Sequence, residues 1–62
     1  MIKDITGKDV LIGDVISSPD LEFGTTFEVL DVSEKTILVR RKYRGRKSIW
    51  IYPPSFRIVS RF

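Results

Sequence analysis

The sequence predicts an all-β fold: a five-stranded small barrel, with residues 1–62 forming a single domain. Three observations carry that expectation. No window places apolar residues at helical spacing over ten or more positions. The apolar residues are mostly Ile, Val, Phe, Tyr and Trp, types that pack well on a pleated surface. Turn signals recur every eight to twelve residues, the rhythm of a small barrel or sandwich.

The elements follow in order. The first strand is expected over residues 9–16, with Gly13-Asp14 marking a bend or bulge. Residues 1–8 ahead of it read as a flexible or edge segment. Residues 17–24 make a polar loop with Pro19 and Gly24. The second strand covers 26–32, where Phe27 and Val29 alternate with Glu28. Ser33-Glu34-Lys35 is a tight turn. The third strand is expected over 36–42 and the fourth over 46–52. Pro53-Pro54-Ser55 ends the fourth, because proline donates no hydrogen bond to a ladder. A single 3₁₀ turn is expected there, before a fifth strand over 56–60.

The hairpin between the third and fourth strands can be registered from pattern alone. A three-residue loop, Tyr43-Arg44-Gly45, with Gly45 left-handed, is a common hairpin type. It sets Val39 opposite Ile49, Leu38 opposite Trp50 and Ile37 opposite Ile51, with Arg40 facing Ser48 and Lys42 facing Arg46. Opposed residues share a side. Ile37, Val39, Ile49 and Ile51 then make a core face. Thr36, Leu38, Arg40, Lys42, Arg46, Ser48, Trp50 and Tyr52 make the outer one. A two-residue loop would mix core and charge on each face, so it is rejected.

Charge is sharply divided along the chain. Residues 1–34 carry eight carboxylates and two lysines, and residues 35–62 carry nine Lys or Arg and no carboxylate. Six of those nine fall in the run Arg40-Arg41-Lys42-Tyr43-Arg44-Gly45-Arg46-Lys47. Like charges so concentrated repel one another, and their collection points to a polyanionic partner. Without cysteine or histidine, disulfides and Cys/His zinc sites are excluded. The hydroxyls lack an activating base, and no glycine-rich phosphate loop is present. The paired carboxylates, Asp9 with Asp14 and Asp20 with Glu22, read as turn chemistry. No enzymatic activity, cofactor or metal is expected. No signal core or membrane-length apolar run occurs in the sequence, so a cytoplasmic location is expected.

The outer face therefore reads as a nucleic-acid-binding platform. Arg40, Lys42, Arg44, Arg46 and Lys47 would meet phosphates, with Arg41 adding to them. Trp50, Tyr52 and Tyr43 would stack on bases or sugars. The partner is RNA or DNA. The alternative is a small phage-type regulatory module that docks an acidic surface of a larger host protein. Leu38, Trp50 and Tyr52 could also form a homo-oligomer contact. Other readings bury Trp50 in the core or make the basic run a solubilising tip. The acidic half could bind the basic hairpin of another copy.

Five successive short strands, a long first loop and Pro53-Pro54-Ser55-Phe56 before the last strand resemble the SH3-like barrels. Gly13-Asp14-Val15-Ile16 followed by Gly24 to Val29 is similar to the Gly-Asp-x-Val…Gly…Val pattern of KOW-type modules. That resemblance implies contacts with RNA, ribosomes or RNA polymerase. Ser48-Ile49-Trp50-Ile51-Tyr52-Pro53 is similar to the Ser-Val-Gln-Ile-Tyr-Pro stretch of the type II plasmid dihydrofolate reductases, which are also SH3-like barrels. Ile51 and Tyr52 match two positions that line their pore, and Trp50 stands at the pore glutamine. The resemblance implies shared architecture, with a reductase-like oligomer as a remote alternative. Proline-peptide recognition is not expected, since nothing matches the Ala-Leu-Tyr-Asp-Tyr-type segment of Src-homology domains.

Overall fold

A computed structural model describes residues 2–21, 25–42 and 46–60. Five antiparallel strands form one sheet: β1 (Val15–Ser17), β2 (Thr26–Val32), β3 (Ile37–Arg41), β4 (Ile49–Ile51) and β5 (Arg57–Ser60). Their spatial order is β4-β3-β2-β1-β5, so β4 and β5 lie at the two ends of the ladder. The described residues contain no helix, and hence none long and apolar enough to cross a membrane.

The β2–β3 hairpin organises the rest. Ser33 closes its turn. The Ser33 amide donates to the Thr36 carbonyl at 2.8 Å, and the Thr36 amide donates back to the Ser33 hydroxyl at 3.0 Å. Val32 then pairs with Ile37 and Asp31 with Leu38. Next the register slips at Leu30, and Val29 pairs with Val39, Glu28 with Arg40 and Phe27 with Arg41. The extra residue is a β-bulge. Because of it, Val29 and Val32, three apart in sequence, both share a side with Val39 and Ile37.

That side is the core. Val10, Ile16, Val29, Ile37, Val39 and Phe56 are buried there, with Ile2, Phe27, Val32, Ile51 and Ile58 packed against them. Burying one such aliphatic or aromatic side chain contributes roughly 1.5–3 kcal/mol. A chain this short has few of them, so each is a large share of the total.

Several boundaries differ from the sequence expectation. The first strand is broken at Gly13, whose φ of 98° lies in the left-handed region. Here the Asp14 amide donates to the Leu11 carbonyl at 3.1 Å, which makes a turn of the anticipated bend. Residues before the turn run beside the N-terminal segment instead, with a Lys3–Asp9 bridge and the Val10 amide donating to the Ile2 carbonyl. The third strand ends at Arg41 and the fourth spans three residues rather than seven. Extending that ladder would set Lys42 directly opposite Arg46, and opposed like charges destabilise a pair. The fifth strand starts one residue late, at Arg57.

No 3₁₀ turn forms between Tyr52 and Phe56; a bend at Ser55 takes its place. Two successive prolines remove the amide donors such a turn needs and push the residues before them toward extended backbone. The peptide groups of Ser55 are also already engaged. Its amide donates to Asp20 Oδ2 at 3.3 Å, and its carbonyl accepts from the Ser18 hydroxyl.

Asp4 ties the N-terminal segment to β5. Its Oδ1 accepts from the Thr6 amide, the Thr6 hydroxyl and the Lys8 amide, and its Oδ2 accepts from the Ile58 amide at 3.1 Å. The Ile5 amide donates to the Phe56 carbonyl at 3.0 Å beside it. The Thr6 hydroxyl is the main cause holding the Asp4 carboxyl well below the usual carboxylate range. The three amides add to it, and burial opposes it. A carboxylate depressed in this way contributes stability at pH values above the unfolded-state pKa of about 4. That stability is lost as pH falls through the lower folded-state value. Acid titration followed by circular dichroism is therefore expected to show the melting temperature declining below pH of about 4. Asp4→Asn turns an acceptor into a donor that faces donors. It is expected to lower the melting temperature at neutral pH by on the order of 10 °C and to flatten the acid limb. Phe56→Ala is expected to cost about 3–5 kcal/mol by leaving a cavity, read as a lowered midpoint in a chemical denaturation series.

Candidate functional site

The three pairs that join β3 to β4 are Ile37 with Ile51, Leu38 with Trp50 and Val39 with Ile49. This is the register the alternation argument selects. It places Leu38, Arg40 and Trp50 on the side away from Ile37 and Val39. Continuing onto β2, the same side receives Glu28 opposite Arg40 and Asp31 opposite Leu38. Trp50 is 48% exposed, so its indole is wet. Tyr52, just past the strand, is 79% exposed.

Ile49 departs from the expected core face. It shares a side with Val39, yet it is 60% exposed. It begins a three-residue strand at the end of the sheet, so only one flank has a neighbouring strand to cover it. β4 thus exposes an apolar side chain on each of its faces.

The cations are dispersed more than the sequence suggests. Arg40 lies on the Trp50 side and is half-buried; its guanidinium contacts Glu28 Oε1 at 3.1 Å. Such a partly solvated pair contributes on the order of 0.5 kcal/mol, so an incoming anion can exchange with it at little cost. Arg41 points to the other side, opposite Phe27. Lys42 is half-buried and follows β3, its amide donating to the Thr26 carbonyl at 3.1 Å. Arg46 and Lys47 are exposed in the segment entering β4 and form no ion pair among the described residues. Tyr43, Arg44 and the Gly45 of the loop lie outside the described residues.

Glu28, which alternates with Phe27 and Val29, is a member of the site that is absent from the residues expected to form it. The signal that finds it is the Leu30 bulge. Without the slip, Val29 would oppose Arg40, and Glu28 would oppose Arg41. The wet side therefore has an electrical gradient across its strands. Carboxylates stand on β2, a guanidinium on β3, and an aromatic ring on β4 with cations just upstream. Three carboxylates elsewhere are occupied locally. Asp9 pairs with Lys3 at 2.7 Å, Asp14 Oδ2 accepts from the Leu11 amide at 2.8 Å, and Asp20 accepts from Ser55. Among the described residues no group of three or more His, Cys, Asp or Glu side chains could hold a metal ion.

An open groove of about 400 Å³ lies elsewhere, lined by Ile5, Pro19, Phe56, Arg57 and Val59 along with Ser17 and Ser55. It is mostly apolar and is separate from the β3–β4 ribbon.

Trp50 is the only tryptophan in the chain, so intrinsic fluorescence reports this site alone. The free protein is expected to emit at a solvent-exposed wavelength and to be quenched efficiently by acrylamide. Blue-shifted, protected emission that becomes exposed on dilution would show instead that a second copy covers the ring. Comparison with protein-family models, with curated proteins and with solved structures finds no match to this chain.

Proposed function

We propose that this chain is a non-enzymatic nucleic-acid-binding module built on an SH3-like barrel, and that it meets its ligand with the β3–β4 ribbon. The observation that carries this reading is the wet indole of Trp50 on the same side as Arg40, with exposed Arg46 and Lys47 leading into its strand. Rings beside cations suit a ligand that offers both π faces and phosphates. The barrel form is supported by the strand order, with β2 central between β1 and β3. It is also supported by principal extents of 27 × 23 × 20 Å, since a flat single sheet would be far thinner in one direction. RNA and DNA both satisfy this chemistry.

A second reading rests on Ile49. An edge strand with apolar side chains exposed on both faces, flanked by cations, also suits an acidic and apolar protein surface that adds a strand to the sheet. In that reading the chain is a regulatory module that docks on a larger partner.

Anisotropy titrations with labelled random oligonucleotides between 50 and 200 mM salt separate the two. Binding is expected to weaken steeply with salt as counterions are released. Arg46→Glu with Lys47→Glu is expected to lower affinity about 100-fold and to make the log–log salt slope shallower by about 2. Unchanged affinity in that double variant would remove these cations from the interface and defeat the reading. Glu28→Gln frees Arg40 and is expected to strengthen binding about threefold while the melting temperature moves by only a few degrees.

A further inference from the structure

We infer that the ligand of this site is a single strand lying lengthwise along β4, with one base on Trp50 and the next on Tyr52. The inference rests on the nucleic-acid reading above and adds the class and path of the ligand.

The path follows from where the charges stand. A strand crossing the sheet toward β2 would carry its phosphates over Glu28 and Asp31, which share the wet side with Arg40 and Leu38. Two carboxylates there repel a phosphodiester backbone, and Arg40 already satisfies one of them. Along the lengthwise track, β4 and its neighbour β3 themselves carry no carboxylate, since none occurs in the sequence beyond Glu34. Arg46 and Lys47 stand at the start of that track, Arg40 stands beside it, and the two rings stand at its far end.

The class follows from the spacing of the rings. Tyr52 precedes Pro53, which restricts it to extended backbone. The alternation of β4 therefore continues one step past Ile51, bringing Tyr52 to the Trp50 side. Alternate residues of a strand are roughly 6.6 Å apart. Bases in a duplex are stacked about 3.4 Å apart along each strand, with their faces already occupied. Rings at twice that separation match bases that have come apart from one another, which only an unpaired strand supplies cheaply. The six residue steps from Arg46 to Tyr52 span at most roughly 20 Å, enough for a footprint of about four nucleotides, at the short end for such sites.

The test titrates the folded full chain with oligothymidylate and oligouridylate of two to twelve nucleotides, and with a blunt duplex of matched phosphate count. Trp50 fluorescence and anisotropy are read together. The inference expects strong quenching by single strands, affinity that levels off near four nucleotides, and little quenching by the duplex. Trp50→Ala and Tyr52→Ala are each expected to weaken single-strand binding about tenfold or more and to leave duplex binding within about twofold. Trp50→Phe keeps a ring, so it should retain most of the affinity; it also covers the case in which the alanine variant does not fold. Equal affinity for duplex and single strand per phosphate, without quenching, would overturn this inference and leave the basic-ribbon reading standing. Binding of neither, by a chain whose circular dichroism shows it folded, would overturn both.

Discussion

The slipped pair at Leu30 is the constraint on which the molecule depends. One extra residue in β2 lets Val29 and Val32 serve the same core while their hairpin partners Val39 and Ile37 keep strict alternation. A ladder without the slip would set Val29 against Arg40 and Leu30 against Val39. Half the central hairpin would then bury the wrong side. The same slip brings Glu28 to Arg40, so the packing of the interior and the electrical layout of the exterior have one geometric origin. A bulge also increases local twist. The turn at Ser33–Thr36 contains no residue with positive φ, and ordinary turns of that kind splay a hairpin. The added coiling a few residues away offsets that tendency.

Around this hairpin, polar contacts add to apolar packing in fastening the N-terminal segment and the segment before β5. Asp4 gathers four hydrogen bonds, and Ser18, Asp20 and Ser55 lock the first loop to the segment before β5. Each such bond has a modest net value, but a buried donor left without an acceptor costs about 1–3 kcal/mol. Polar clamps at these places fix the paths of segments too short to build cores of their own. The basic end of the ribbon is held by the Arg40–Glu28 contact and by the Lys42 amide, which donates to the Thr26 carbonyl. Its pairing stops after Val39 and Ile49, where extension would bring like charges together. Arg46 and Lys47 thus stay exposed, with no ion pair among the described residues, at the place where a partner is proposed to meet them.

Much of the fold was legible because alternation is a strong signal. The second strand and the β3–β4 register follow from which side must be apolar, and Ile37 and Val39 are buried as that argument requires. The rest was hidden for physical reasons. Strand ends depend on charge repulsion and turn chemistry, which alternation does not register. The 3₁₀ turn was expected where Pro53-Pro54-Ser55 ends the fourth strand, but the two prolines lack the amides it needs and a bend forms at Ser55. Ile49 follows the right parity but lies at the end of the sheet, and parity says nothing about what covers a strand. Of the site, the common side of Arg40, Leu38 and Trp50 could be read from spacing. The carboxylate of Glu28 could not, because a bulge leaves no fixed mark in composition.

The uncovered flank of Ile49-Trp50-Ile51 has a colloidal consequence. It is a short apolar ribbon at the end of the ladder, with no further strand beside it among the described residues, the kind of surface on which chains aggregate. Cations immediately upstream and prolines immediately downstream act as gatekeepers against that outcome. The first gatekeeper is purely electrostatic, so it weakens with ionic strength and vanishes when polyanion coats it. The second is covalent and persists. Solubility of the chain is thereby tied to ionic strength, and added salt is the condition that relaxes the repulsion between molecules.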